Sequence, residues 1–173
     1  MRSSTYVIHD LLVQSPVRLP APLTSGQRCD VVIRWNSAAQ RSSARLEGDV
    51  LASAGHPDGA GYSLVRQAGA YVLRVGALAD FRIDAGLSEI DVVPAPRANL
   101  DFIPLLLAGT VLATLLMLRG EQVLHASAIA LNGGALGFAG HSGADESTLA
   151  ALFCAESATL IADAPLRVVC TRC

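Results

Sequence analysis

The sequence has little charge, and neither sign of charge is concentrated in one part of it. Charged side chains make up 16% of the 173 residues, the net charge is −2, and there is no basic cluster or acidic tail. Because a nucleic-acid-binding domain needs a basic patch to neutralise phosphates, this composition disfavours nucleic acid as a partner. Apolar residues make up 51% of the chain, which excludes a disordered protein and predicts a globular one with a substantial core.

The cysteines lack the neighbours that metal or redox chemistry would need. Cys170 and Cys173 form a C-x-x-C at the end of the sequence, while Cys29 and Cys154 stand alone. A zinc site needs a second pair of ligands, and a redox C-x-x-C opens a helix after a strand. Neither context is present, so reduced, unpaired thiols in a cytoplasmic protein are the simpler interpretation.

The sequence also lacks an apolar start long enough for a signal peptide, because His9 and Asp10 interrupt it. A later segment, Phe102 to Leu118, is uncharged and about 17 residues long, the lower limit for crossing a bilayer. A helix buried inside a globular domain has the same composition, and Pro104 and Gly109 dilute the segment. We expect a core helix in a cytoplasmic protein, with a membrane span as the alternative.

A β-rich N-terminal region is predicted for residues 1–97. Cys29 to Trp35 is a β-branched run that suits a buried strand, and Ala70 to Gly76 and Ala79 to Ala85 alternate as half-buried strands do. Gly55 to Tyr62 has the Gly, Pro and Asp residues typical of a turn, and we expect its His56 to be solvated.

A linker is predicted from Val92 to Asp101, where two prolines precede two alternative residues suited to cap a helix, Asn99 and Asp101. The second region then covers residues 98–173, and the whole chain is predicted to be α/β or α+β. Its expected elements after the linker are the apolar helix from Phe102, a strand Val123 to Leu131, a turn at Asn132-Gly133, a strand Ala135 to Ala139, a loop from Gly140, a helix Ser147 to Ser157 and a strand Ala158 to Asp163.

The stretch GHSGADESTL, which begins at Gly140, is close to a phosphate-binding loop. The P-loop pattern is G-x-x-x-x-G-K-[ST]; here Ser147 and Thr148 close it, but Asp145 and Glu146 stand where the Gly and Lys belong. The predicted strand before it and helix after it supply the context of a P-loop, because the first turn of a helix offers free N–H groups and a positive dipole end to phosphate. The alternative is a glycine-rich turn that only joins a strand to a helix.

Two further residues complete the predicted site, and two histidines lie near it. The hydroxyl of Ser147 would bind Mg²⁺, and Asp163, at the end of the next strand, would complete the metal or base site. His141 is expected to be either a solvated loop residue or a phosphate contact. His125, on an apolar strand, is expected to be either a hydrogen-bonded core residue or a catalytic group.

The segment LHASAIALNGGALGFAGHSGADESTLAALF resembles the P-loop core of the HPr serine kinase/phosphorylase-like proteins, which have the HPr-kinase/PEP-carboxykinase type of fold. In that family a strand with a histidine, a hairpin and the loop G-x-S-G-x-G-K-[ST]-T precede a helix, and the next strand ends in Asp-Asp. The resemblance covers most of the chain and is specific from about Leu124 to Asp163. It aligns His125 with the strand histidine and Asp163 with the first aspartate. The phosphate-binding positions that it implies are Gly140, His141, Ser142, Gly143, Ala144, Asp145, Glu146, Ser147 and Thr148.

The resemblance implies an ATP-dependent serine kinase that phosphorylates a serine of a protein or peptide, with Asp163 acting in proton transfer and Mg²⁺ binding. The chain departs from the family pattern at Asp145, at Glu146 in place of the lysine, and at Ala164 in place of the second aspartate. Two unit charges 4 Å apart interact by about 4 kcal/mol at an effective dielectric of 20. If glutamate in place of lysine costs roughly 3 kcal/mol of binding free energy, nucleotide binding weakens over a hundredfold.

The family continues into further sheet, a metal-binding segment and a C-terminal helix, so the resemblance predicts a truncated kinase domain that ends at Cys173. The sequence thus predicts a partial HPr-kinase-like P-loop domain with weak ATP–Mg²⁺ binding and little or no activity. Two alternatives stay open, namely a non-catalytic binding or scaffold module and a small membrane-associated protein built around Phe102 to Leu118.

Overall fold

A computed structural model describes residues 3–26, 28–36, 41–55, 61–141, 144–163 and 165–169 of the chain. The protein is a strand-rich, mixed α/β chain. It divides into two compact units, unit 1 (residues 1–111) and unit 2 (residues 112–173). The middle of the predicted turn from Gly55 to Tyr62, including His56, lies outside the described residues.

Unit 1 is built on a mixed sheet of nine strands. They are β1 (Ser4–Ile8), β2 (Leu11–Ser15), β3 (Leu23–Thr24), β4 (Val31–Trp35), β5 (Asp49–Gly55), β6 (Gly61–Gln67), β7 (Ala70–Val75), β8 (Ala79–Asp84) and β9 (Glu89–Pro94). Their order across the sheet is β3-β1-β2-β4-β9-β8-β7-β6-β5. β4 pairs in parallel with β2 and β9, and the other pairs are antiparallel.

The core of unit 1 follows the strand period of two. Phe81 and Ile83 on β8 are fully buried, while Arg82 between them is exposed. Successive side chains of a strand point to opposite faces, so this alternation places one row of β8 in the core. The β-rich N-terminal region predicted from the sequence is confirmed.

A hairpin that the sequence analysis did not predict begins unit 1. β1 and β2 pair antiparallel across a two-residue turn at His9 and Asp10, whose φ angles are 52° and 60°. Two positive φ angles match the twist of a tight hairpin. The polar pair that interrupts the apolar start of the sequence is therefore a turn between two strands.

The turn between β8 and β9 is organised by one carboxylate. Asp84 accepts hydrogen bonds from the backbone N–H groups of Gly86, Ser88 and Glu89 at 2.9, 2.8 and 2.7 Å. Burial alone would raise the pKa of Asp84, but these three donors together outweigh that effect and hold the pKa below its ordinary value. The ionised carboxylate thus fixes the backbone of this turn.

The predicted linker from Val92 to Asp101 is wrong over its first three residues, which belong to β9, and over its last two, which belong to a helical turn. Val92 and Val93 are fully buried and, with Pro94, end strand β9. β9 is paired on both sides, with β4 and β8, and a proline at the end of a strand removes few ladder hydrogen bonds. The capping prediction holds: the side chain of Asn99 accepts a hydrogen bond from the N–H of Asp101 at 3.1 Å.

The apolar segment is helical from Leu100 to Leu118. It comprises a 3-10 turn (Leu100–Phe102), α1 (Ile103–Leu106), a π-helical turn (Leu107–Val111) and α2 (Leu112–Leu118). By length and composition alone this segment is apolar enough to cross a membrane, with a mean hydropathy of 2.0. Of its most apolar window 44% is buried, and the core helix of a soluble protein passes the same test.

Within its described residues, unit 2 contains two small sheets and, besides α2, one further helix. Its remaining elements are β10 (Gln122–Leu124), β11 (Ser127–Leu131), β12 (Gly134–Phe138), α3 (Glu146–Ala155), β13 (Thr159–Asp163) and β14 (Leu166–Val168). β11 lies between β12 and β13, and β10 pairs with β14. The predicted hairpin at Asn132-Gly133 is present, with φ angles of 51° and 78°.

The single strand predicted from Val123 to Leu131 is wrong. A bend at His125 separates β10 from β11, and the two strands pair in different sheets. An apolar run that leaves one sheet and enters another keeps the same composition, so hydrophobicity alone does not reveal the break. His125 is consequently an exposed residue in a bend and not a core residue on a strand.

The topology of the three-stranded sheet brings the loop and Asp163 to the same edge. β12 and β13 both pair antiparallel with β11, so they run in the same direction on opposite sides of it. β12 ends at Phe138, just before the loop, and β13 ends at Asp163. A bulge at Ile161, which has no pairing partner on β11, lies two residues before that carboxylate.

Candidate functional site

The loop is held between β12 and α3 by an aromatic contact. The rings of Phe138 and Phe153 stack with centroids 5.6 Å apart and an interplanar angle of 22°. Phe138 is the last residue of β12, and Phe153 lies in the third turn of α3. This contact fixes the helix against the strand that leads into the loop.

The backbone at the start of α3 has the left-handed conformation that the P-loop glycine would supply. Asp145 has φ 58° and ψ 30° and precedes the first helical residue, and its side chain makes no capping hydrogen bond. Its carbonyl accepts a hydrogen bond from Leu149 at 2.9 Å, so the helix begins here. Aspartate adopts this region more readily than most residues, so the backbone conformation here does not require glycine.

Gly140 is required by a close approach within the loop. A Cβ atom at this position would lie 2.7 Å from the Cβ of Ala144 and 3.1 Å from Oε1 of Glu146. Atoms do not approach so closely without movement, and only glycine avoids the contact. The hydrogen bond from the N–H of Ala144 to the carbonyl of His141, 2.9 Å long, closes the same turn.

The carboxylate of Glu146 turns back toward the loop. Its Oε1 is fully buried and has no hydrogen-bond partner in the part of the chain that the structure describes. A buried acceptor without a partner destabilises the fold, and a negative group here opposes an approaching phosphate. The P-loop pattern has a lysine at this position, and the sequence contains no lysine.

Two serine hydroxyls meet on one carboxylate oxygen at the edge of the sheet. Oδ1 of Asp163 accepts hydrogen bonds from Ser127 Oγ at 2.5 Å and from Ser147 Oγ at 2.7 Å. Ser147 belongs to the first turn of α3 and Ser127 begins β11, directly opposite Asp163 in the sheet register. The loop, the central strand and the following strand therefore converge here.

The same contacts set the charge state of Asp163. The hydrogen bond from Ser127, and after it the one from Ser147, holds the pKa of Asp163 below its ordinary value. Partial burial opposes this effect, and electrostatic attraction from His125 adds to it. Asp163 is therefore ionised at neutral pH, as a cation ligand must be.

The site offers a cation few protein ligands. The described part of the chain holds no group of three or more His, Cys, Asp or Glu side chains that could hold a metal ion. Mg²⁺ in nucleotide sites is bound by one or two protein groups together with phosphate oxygens and water. Ser147 and Asp163 fit that limited role, whereas Glu146 does not fit the phosphate.

The remaining predicted residues are less informative. His141 is exposed in the loop, and Thr148 is exposed on α3. Ser142, Gly143 and Ala164 lie outside the described residues, as does the C-x-x-C pair Cys170 and Cys173. Ser127 was not predicted from the sequence, because only the strand register places it opposite Asp163.

Comparison of the chain with protein-family models, with curated proteins and with solved structures gives no match.

Proposed function

We propose that unit 2 is a degenerate nucleotide-binding unit of the HPr serine kinase type. In this proposal the loop from Gly140 to Thr148 binds ATP–Mg²⁺ weakly, and phosphoryl transfer to a serine of a protein or peptide is impaired or lost. The 2.7 Å hydrogen bond between Ser147 and Asp163 carries the proposal, because it joins the hydroxyl that ends the loop to the carboxylate that follows the helix.

The order of elements supports a phosphate-binding role. β12, the loop, α3 and β13 follow one another, and the N-terminus of α3 and the carboxylate of Asp163 lie at the same edge of the sheet. Free N–H groups and the helix dipole favour an anion at such an N-terminus. The adjacent hydroxyl and carboxylate would take the accompanying Mg²⁺.

The position of Glu146 supports weak binding. Its buried Oε1 lies beside Gly140, 3.1 Å from the position that a Cβ atom of that residue would take, and its negative charge would repel a phosphate bound by the loop. A charge pair 4 Å apart interacts by about 4 kcal/mol at an effective dielectric of 20. Glutamate in place of lysine is therefore expected to reduce the binding free energy of the nucleotide by roughly 3 kcal/mol. That loss corresponds to over a hundredfold in affinity.

A nucleotide titration of four proteins under one salt condition tests the proposal. We expect negligible ATP–Mg²⁺ binding by the wild type and a gain of about tenfold or more in the double variant Asp145→Gly with Glu146→Lys. Glu146→Lys alone should recover most of the gain, because Asp145 already has the required backbone conformation. Glu156→Lys, at the other end of α3, is the control for added positive charge.

The opposite result of this titration would identify a different role for unit 2. Equal, negligible binding by the wild type and the double variant would overturn the proposal and leave the strand–loop–helix as a scaffold. The exposure of Leu136, Leu160 and Ile161 on the two outer strands of the sheet favours that second candidate, since exposed apolar side chains suit a protein partner.

A further inference from the structure

We propose that Ser127 is a positioning residue of this site: it orients the carboxylate of Asp163 so that one oxygen is shared with Ser147 and the other stays open toward a cation. The inference rests on the proposed function, because it concerns the Mg²⁺ side of the same site. It goes beyond the loop itself, since Ser127 lies on the central strand and is not part of the loop pattern.

The geometry separates Ser127 from the groups that could touch a ligand. Ser127 is 1% exposed, so its own oxygen is closed to solvent and to a cation. It sits in one row of the sheet between Phe138 on β12 and Asp163 on β13. Its position is therefore fixed by backbone pairing on both sides, which makes it a rigid donor.

The hydrogen bonds on the two carboxylate oxygens of Asp163 indicate how the Ser127 hydroxyl orients this side chain. Both hydroxyls reach Oδ1, and Oδ2 accepts no hydrogen bond within the described residues. A hydroxyl has one proton and two lone pairs, so Ser147, having given its proton to Oδ1, presents a lone pair outward. Oδ2 of Asp163 and Oγ of Ser147 are thus the two oxygens left for a cation.

Without Ser127 the same carboxylate would lose its fixed orientation. Asp163 is an exposed residue at the end of a strand, where the single hydrogen bond from Ser147 does not hold one rotamer. Ser127 supplies the second contact from the buried side. The contact between Ser147 and Asp163 is therefore expected to depend on Ser127. If the Ser127 hydroxyl only filled space in the core, that contact would not depend on it.

A double-mutant cycle in the absence of nucleotide tests this dependence. The coupling between Ser147→Ala and Asp163→Asn is measured by chemical denaturation, first in the wild type and then in Ser127→Ala. We expect a coupling of about fivefold in the unfolding equilibrium constant in the wild type, less than about twofold in Ser127→Ala, and recovery in Ser127→Thr, which keeps the hydroxyl. Ser127→Cys keeps nearly the same side-chain volume but has only a weak hydrogen-bond donor, so its coupling should resemble that of Ser127→Ala. It takes the place of Ser127→Ala in the experiment if the alanine variant does not fold. An unchanged coupling without the hydroxyl would overturn the inference.

A second readout separates positioning from general stability. In the Asp145→Gly, Glu146→Lys protein, ATP affinity is measured with Mg²⁺ and with EDTA. Ser127→Ala should lower the Mg²⁺-dependent gain by about fivefold, leave the Mg²⁺-free affinity unchanged, and be rescued by Ser127→Thr. A loss of both affinities together, or an intact Mg²⁺ gain, would count against the inference. If the repaired protein binds no nucleotide, the proposed function fails, and the nucleotide-free cycle still decides the role of Ser127.

Discussion

Phe138 and Phe153 stack across the loop, with ring centroids 5.6 Å apart. The contact joins the end of β12 to the third turn of α3, and α3 has only one fully buried residue, Ala150. Most of the attachment of this helix to its sheet therefore depends on few side chains.

Replacing Phe153 by leucine should loosen α3 and the loop. We expect the free energy of unfolding of unit 2 to fall by about 1 kcal/mol, since an aromatic pair contributes roughly that much beyond its buried area. Chemical denaturation measures the change, and Leu152→Ala, which replaces a side chain that is 61% exposed, is the control. Equal losses in the two variants would show that the stack does not hold the helix.

Replacing Glu146 by alanine should stabilise the protein although it removes a charge from the first turn of a helix. A buried acceptor without a partner costs about 1–3 kcal/mol, whereas an acidic residue at a helix N-terminus contributes about 0.3–1 kcal/mol. The first effect exceeds the second, so the free energy of unfolding should rise by about 1 kcal/mol. Thr148→Ala, on the exposed part of the same turn, should give little change. A clear loss of stability in Glu146→Ala would contradict the account of the buried carboxylate.

Acid should weaken unit 1 through Asp84. The pKa of Asp84 is lower in the folded protein than its ordinary value of 3.8, so the unfolded state binds a proton at a higher pH than the folded state does. The contribution of Asp84 to stability is therefore fully present above about pH 4 and is lost as the pH falls through the lower folded pKa. Denaturation curves of the wild type and Asp84→Asn between neutral and acidic pH measure this. The two should converge in acid, and parallel curves throughout would refute the assignment.

Leu105 and Leu107 provide a matched test of the apolar helix. Leu107 is fully buried and Leu105 is 57% exposed, although a sequence-based hydropathy profile treats them alike. If the helix is the core of a soluble protein, Leu107→Lys should prevent folding, because an unpaired charge is buried, and Leu105→Lys should leave a folded, soluble protein. Circular dichroism and fractionation of cell extracts report both outcomes. Recovery of the wild type only from detergent-extracted membranes would favour the membrane span instead.

Patterns among neighbouring residues were sufficient to predict some elements of the fold. The alternation along β8, the turn at Asn132-Gly133 and a helix cap at Asn99 or Asp101 are properties of neighbouring residues, and the sequence predicts all of them. Strand β7 was predicted too, but it buries the adjacent Val72 and Leu73 and does not alternate. The hairpin at His9-Asp10 was missed because neither residue is glycine, and glycine is the usual sign of two positive φ angles.

The errors have a common physical origin in pairing between distant strands. The break at His125 depends on β10 joining β14 while β11 joins β12 and β13. Val92 and Val93 belong to β9 because β4 and β8 flank them. The role of Ser127 arises from register, since its partner is Asp163, 36 residues further along the chain. Such relationships have no local signature in one sequence.

The bulge at Ile161 bears on how this strand can change in length over evolution. Ala162 and Asp163 pair with Ala128 and Ser127, while Leu160 pairs with Ile129, so Ile161 alone is unmatched. Deleting it would join Leu160 directly to Ala162 and still leave Asp163 opposite Ser127. In related chains, a deletion of one residue at this position would preserve the site. A residue inserted between Ala162 and Asp163 would instead separate the carboxylate from its serine.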